Sequence, residues 1–180
     1  EADSAAQIAA ALPAARIVNL CATLPLADLP DLIRACSLYV GYDTGTGWSK
    51  LGAAEVILDN LITDGKAVPM VVVMPNGRAG KGVTPQSGLD KQFAAFAAFE
   101  DDLLKDLIPF VEKTYAVRTD RDGRALAGLS IGALQSLKFG LKHLDEFAWI
   151  GAFSGAIGGD DISDPDAAAK QLRLLWLSVG

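Results

Sequence analysis

Histidine and cysteine are nearly absent from this sequence: His143 is the single imidazole among 180 residues, and Cys21 and Cys36 are the two thiols. Two cysteines flanking a helix-like stretch do not make a disulfide framework, so buried free thiols are expected. Neither has a Cys or His neighbour at metal-ligand spacing, so no metal and no cofactor is expected. Basic residues are also scarce, 16 Lys and Arg against 22 Asp and Glu for a net charge of -6, with no basic cluster longer than two. Nucleic acid, which calls for a basic face, is excluded as a partner. Long apolar runs are missing too, and none approaches the roughly 20 residues of a membrane span. The first residues lack the basic-then-apolar layout of a signal peptide, so no membrane partner and a cytoplasmic location by default are expected.

What is abundant is short apolar segments. Hydrophobic residues make up 51% of the chain, enough to build the core of one α/β domain and too little for two. Apolar β-rich runs at residues 16–20, 37–40, 70–74, 124–128, 148–153 and 174–178 read as strands, several of them unbroken enough to be buried on both faces. Helical patterns at 4–12, 26–35, 53–64, 99–115 and 130–142 lie between them, with Pro109 expected to bend the fourth. Strands alternating with helices imply a three-layer α/β fold around a mainly parallel sheet. The Gly-, Lys- and Arg-rich stretch 77–88 is the most loop-like. Ligands in such folds bind beyond the carboxyl ends of the strands, which is where Ser130, the 41–48 loop and Pro75-Asn76-Gly77 belong.

The motif that carries chemistry is Gly128-Leu129-Ser130-Ile131-Gly132, between the apolar run Ala125-Leu126-Ala127 and a helical stretch. A serine at a sharp strand-to-helix bend needs a small residue on each side, because the backbone there is strained and close-packed. Ser130 is therefore the candidate nucleophile. The bland alternative is a tight turn whose serine caps the next helix, and Ser136 and Ser154 fit that role.

From Gly41 onward the chain resembles the feruloyl-esterase and esterase-D-like branch of the α/β-hydrolases. The resemblance rests on Gly47-Trp48-Ser49-Lys50, Val56-Ile57-Leu58-Asp59-Asn60-Leu61, Val73-Met74-Pro75-Asn76-Gly77, Asp106-Leu107-Ile108-Pro109-Phe110-Val111-Glu112-Lys113, Ala127-Gly128-Leu129-Ser130-Ile131-Gly132 and Phe147-Ala148-Trp149-Ile150-Gly151-Ala152-Phe153-Ser154, in family order. It implies a carboxylic-ester hydrolase acting on a small ester. The oxyanion would be held by the backbone N–H groups of Ile131 and Tyr42, and Gly41, Trp48, Asn76 and Leu129 would line the substrate site. The family places His-Gly where this chain has Val40-Gly41, which is a departure at the Tyr42 side.

Residues 1–45 resemble the nucleotide-binding half of heptosyltransferase-type enzymes, through Arg16-Ile17-Val18-Asn19-Leu20, Leu26-Ala27-Asp28-Leu29-Pro30-Asp31-Leu32-Ile33 and Val40-Gly41-Tyr42-Asp43-Thr44-Gly45. The chain thus reads as a chimera joined near residue 45, with one α/β domain over 1–180 in which this segment supplies strands.

The family's acid and histidine follow the strand matched by Leu174-Leu175-Trp176-Leu177-Ser178, and the sequence ends at Gly180. A truncated α/β-hydrolase with an incomplete triad is the expectation. His143 lies roughly 18–20 Å along the helix from Ser130 and reads as a helix-end polar residue near the C-terminal dipole. Asp160, Asp161, Asp164 and Asp166 form an acidic loop before a further helix; a carboxylate of ordinary pKa near 4 is a poor base for a hydroxyl. Weak esterase activity is the first reading, and an inactive hydrolase-fold scaffold or assembly module is the second. A sugar-nucleotide-binding fragment is the third. Missing C-terminal strands would expose a sheet edge, so a homo-oligomer is expected.

Overall fold

A computed structural model describes residues 17–21, 38–41, 48, 52–84, 86–155 and 157–179. Six strands, β1 (Ile17–Cys21), β2 (Leu38–Gly41), β3 (Val71–Val73), β4 (Arg124–Leu129), β5 (Trp149–Phe153) and β6 (Leu174–Val179), form one sheet in the order β1-β6-β5-β4-β2-β3. Every strand pair in it is parallel. The six apolar runs read from the sequence are these six strands, each within two residues of its expected ends. The expected helices at 4–12 and 26–35 and residue Cys36 lie outside the described residues.

Register decides which side chains meet. Leu126, Ile150 and Leu175 are paired partners across β4, β5 and β6, so they share one face. Pairing of Trp149 with Leu174 puts these two on the opposite face. On the first face the core is built with α4 (Ile131–Lys142) and α5 (Pro165–Gln171), through Ala133, Leu137, Leu141, Ala168 and Leu172. A neighbouring cluster joins Phe99, Leu103, Ile108 and Val111 to Leu126, Phe139 and Phe147. Fully buried Phe147, Leu103, Leu137, Ile150, Leu174 and Leu175 each contribute roughly 1.5–3 kcal/mol.

Of the helical segments outside the elbow, one departs from expectation and two match it. The helix at α1 (Ala54–Thr63) stands where its apolar spacing predicted. The expected 99–115 helix begins ten residues earlier: α2 (Leu89–Asp101) runs into a π-helical turn at Asp102–Leu107 and then into α3 (Ile108–Thr114). Pro109 sits in the first turn of α3. A widened turn just before it, in which Ile108 N–H bonds to Leu103 O, accommodates a residue that has no N–H to give. The acidic loop ends as expected in a helix, with Asp164 capping α5 by accepting from Ala167 N–H at 2.8 Å.

The amino ends of the strands are tied by arginines. Arg124 is 7% exposed, and its guanidinium donates to Glu112 Oε1 at 2.7 Å, Glu146 Oε2 at 2.6 Å and Thr119 O at 2.6 Å. Arg121 donates to Leu144 O and Gln171 O, both at 2.7 Å. Truncating Arg124 to Ala leaves two partly buried carboxylates uncompensated. We expect it to cost about 3 kcal/mol in urea unfolding; a loss below about 0.5 kcal/mol would show the cluster to be structurally idle.

The edge beyond β6, expected to be bare, is occupied: β1 pairs along its whole length with β6, from Ile17 with Leu175 to Cys21 with Val179. The outermost strands of the described sheet are β1 and β3.

Candidate active site

Ser130 stands between β4 and α4 with φ 56° and ψ -113°. An N-cap residue ordinarily has extended backbone; a non-glycine residue in this sparsely populated region stores about 1–3 kcal/mol. The cause is local packing. A Cβ placed on Gly128 would stand 2.2 Å from the Gly132 carbonyl carbon and 2.3 Å from its oxygen. Only glycine lets the strand end and the helix start touch there. The Ser130 carbonyl starts the helix by accepting from Ala133 N–H at 3.0 Å and Leu134 N–H at 3.1 Å, while Ser130 N–H donates to Phe153 O at 2.9 Å.

The side chain does none of this. It makes no capping bond, and Ser130 is exposed, so the reading of Ser130 as a helix-capping serine fails. Nor do the two serines assigned that role fill it. Ser136 lies inside α4, where its hydroxyl donates back to Gly132 O at 2.8 Å. Ser154 follows β5 in a left-handed conformation, φ 49°, and its N–H donates to Ser178 O at 2.7 Å.

Ile131 opens α4, so its N–H has no partner inside the helix and adds to the positive end of the dipole, in the residue next to Ser130. Tyr42, the other expected oxyanion donor, lies outside the described residues. Gly41 is the last residue of β2 and is paired with Ala127, which brings the chain out beside the strand that delivers Ser130. Leu129 is 50% exposed at the end of β4 and is the register partner of Phe153. Trp48 meets the Phe153 ring edge-on, with centroids 5.9 Å apart. These residues gather at one end of the sheet.

Asn76 is exposed in the loop after β3, where its Oδ1 accepts from Arg78 at 3.2 Å. That loop is fastened to α4 by Gln135, a residue the sequence reading passed over. Buried Gln135 donates through Nε2 to Gly77 O at 3.0 Å and Phe96 O at 2.9 Å. Between α2 and α4 runs a groove of about 420 Å³, walled by Phe93, Phe96, Leu134 and Phe139 and reaching Ile131 at the elbow.

His143 terminates α4 at the end away from Ser130, and its Nε2 lies 2.6 Å from Glu100 Oε1. The same carboxylate meets Lys142 at 2.8 Å. Burial alone raises the Glu100 pKa, but Lys142 and His143 together outweigh it and hold the carboxyl below its ordinary value. The histidine is therefore a fastening between α4 and α2, and Ser130 has no imidazole beside it. Asp161 accepts from Gly158 N–H at 3.0 Å, and Asp164 is spent on its cap. Among the described residues no group of three or more His, Cys, Asp or Glu is arranged to hold a metal, and no helix is long and apolar enough to cross a membrane.

Residues 34–169 match the Esterase family. The chain is 35% identical over 147 residues to an endo-1,4-beta-xylanase/feruloyl esterase of Xylanibacter ruminicola, covering 79% of this chain and 19% of that protein. It is 34% identical over 95 residues to an esterase of Mycobacterium tuberculosis, covering 52% of this chain and 20% of the other. The chain thus spans about a fifth of the length of the curated relatives it matches. Among solved structures, the ferulic acid esterase of Anaeromyces mucronatus in complex with ferulic acid superposes with a TM-score of 0.63 at 22% identity, over 81% of this chain and 71% of that one. The fold is that of an α/β-hydrolase.

Proposed function

Because the chain belongs to the Esterase family, we propose that it performs the acyl-transfer half of a serine-dependent carboxylic-ester hydrolase. Ser130 is the nucleophile in this reading. The observation that carries it is the strained, exposed Ser130 at a glycine-flanked strand-to-helix bend, whose side chain makes no capping bond to the helix. The Ile131 N–H, with Tyr42 as its partner, would receive the developing oxyanion. Leu129, Trp48, Gly41 and Asn76 would border a small ester, and the feruloyl esterase named among the relatives suggests an aromatic acyl group.

Attack would form the Ser130 Oγ–acyl bond, break the bond to the leaving oxygen and pass the hydroxyl proton to water, since these 180 residues hold no second histidine. A neutral hydroxyl is a weak nucleophile, so the rate depends on the leaving group. An aryl acetate should react at least about 10²-fold faster than the methyl ester of the same acid. His143→Ala should change turnover by less than about two-fold, because the ring is held at the far end of α4. If His143→Ala abolished turnover, a histidine of a second copy would be completing the site. If no ester reacted, the scaffold reading would stand instead.

For residues 1–45 we keep the transferase-like segment as a structural contributor to one α/β domain over 1–180, supported by the parallel pairing of β1 with β6 and of β2 with β4. Self-association through an outer strand, β1 or β3, completes the reading.

A further inference from the structure

The elbow is held from outside its own strand and helix by the last residue of β5, Phe153, and the two residues after it. Phe153 accepts the Ser130 N–H on its carbonyl at 2.9 Å. Ser154 then turns the chain through a left-handed conformation, φ 49°, which is costly for a residue carrying a Cβ. Its own N–H donates to Ser178 O at 2.7 Å, anchoring the turn to β6. Gly155 lies so close to the elbow that a Cβ there would stand 2.8 Å from the Ser130 carbonyl oxygen and 2.6 Å from Ala133 Cβ. That oxygen is the one from which α4 starts.

Ser130 needs such support because nothing in its side chain supplies it. Its conformation is strained, and an unconstrained N-cap residue relaxes to extended backbone, which would change the direction in which the hydroxyl is presented. Two things oppose that relaxation: the hydrogen bond to Phe153 O and the backbone wall at Gly155. Both depend on where Ser154 sends the chain. The carbonyl of the residue before it and the Cα of the residue after it bear on the same serine.

We propose that Phe153-Ser154-Gly155 is a positioning element that clamps Ser130 in its reactive conformation, with the left-handed turn at Ser154 setting both contacts. It rests on the reading of Ser130 as a nucleophile only for its catalytic consequence.

Three variants of the whole chain test it: Ser154→Gly, Ser154→Val and Gly155→Ala. Glycine enters the left-handed region freely, whereas a β-branched residue resists it most. Two quantities are read, the hydrogen-exchange rate of the Ser130 amide by NMR and the second-order rate of covalent labelling by an aryl fluorophosphonate. Ser154→Gly should keep both within about two-fold of wild type. Ser154→Val and Gly155→Ala should speed Ser130 amide exchange and slow labelling, each by about ten-fold or more. The amide of Leu137, buried in mid-α4, should keep its protection in all three, which separates loss of the clamp from general loosening. Unchanged exchange and labelling in Ser154→Val overturn the proposal, as does a Ser154→Gly variant as damaged as Ser154→Val. Should Gly155→Ala not fold, the two Ser154 variants decide alone. If the wild type is not labelled while the exchange pattern is as expected, the clamp stands and the nucleophile reading falls.

Discussion

Mixed with an excess of an aryl acetate, the chain should release about one equivalent of phenolate per protein and then slow by about 10²–10⁴-fold, leaving one acetyl group on Ser130 if that residue is the nucleophile. Two steps with unequal demands produce this burst. Acylation would expel a stabilised phenolate, which needs little help beyond the proposed oxyanion amides, that of Ile131 at the head of α4 and that of Tyr42. Deacylation must break an alkyl ester, the acyl-serine, with a water molecule that a histidine ordinarily activates. The single histidine is 2.6 Å from Glu100 at the other end of the helix, so nothing among the described residues activates that water. Peptide mapping and stopped-flow absorbance read the adduct and the burst. Ser130→Ala should abolish both, whereas a steady linear release in wild type, or an adduct that survives the substitution, would refute the assignment.

How far the fold could be read in advance depended on where each constraint originates. All six strands are written in short, largely apolar runs, and β4, buried from Arg124 to Gly128, leaves little room for polar positions. Ser130 was legible because its two glycines, Gly128 and Gly132, lie within two residues of the serine they serve. Leu89–Asp101 was legible only in part. Leu89 and Phe93 are 69% and 58% exposed, which blurs the amphipathic pattern just where the glycine-rich loop ends, so the helix was expected to start at Phe99. The π turn at Asp102–Leu107 has no periodic signature; Pro109 announced an irregularity without its kind.

Contacts made across the sheet left no local trace. Ser154 looks in sequence like any serine in a turn, and its left-handed backbone is set by Ser178 on β6 and by the elbow. Gly155 reads as an ordinary turn glycine until the Ser130 carbonyl is placed against it. Gln135 and Arg124 are polar residues in apolar elements, and their partners at Gly77, Phe96, Glu112 and Glu146 come from other parts of the chain. The same holds for the expected bare edge, which the pairing of β1 with β6 fills.

The largest loss of stability from a single methyl group is expected at Gly128. An alanine Cβ there would lie 2.2, 2.3 and 2.7 Å from the carbonyl carbon, oxygen and Cα of Gly132. All three are backbone atoms of the first turn of α4, so no side chain can swing aside to make room. Relief requires moving α4 away from β4, and α4 carries Ala133, Leu137 and Leu141 into the main core. Overpacking in a buried site costs typically about 1–3 kcal/mol and more where backbone must shift; for Gly128→Ala we expect the upper end or beyond. Gly140→Ala provides the comparison, because its Cβ would meet Ile150 Cδ1 at 2.6 Å and Cγ1 at 2.8 Å. Those are side-chain atoms that can change rotamer, so the cost should be lower by about 1 kcal/mol or more. Midpoints of urea unfolding for the two variants measure the difference, and labelling of Ser130 should fall far more in Gly128→Ala than in Gly140→Ala. Equal losses in the two variants would mean that α4 can retreat from β4 cheaply, and the elbow would then lack the rigid glycine contact on which the strained Ser130 depends.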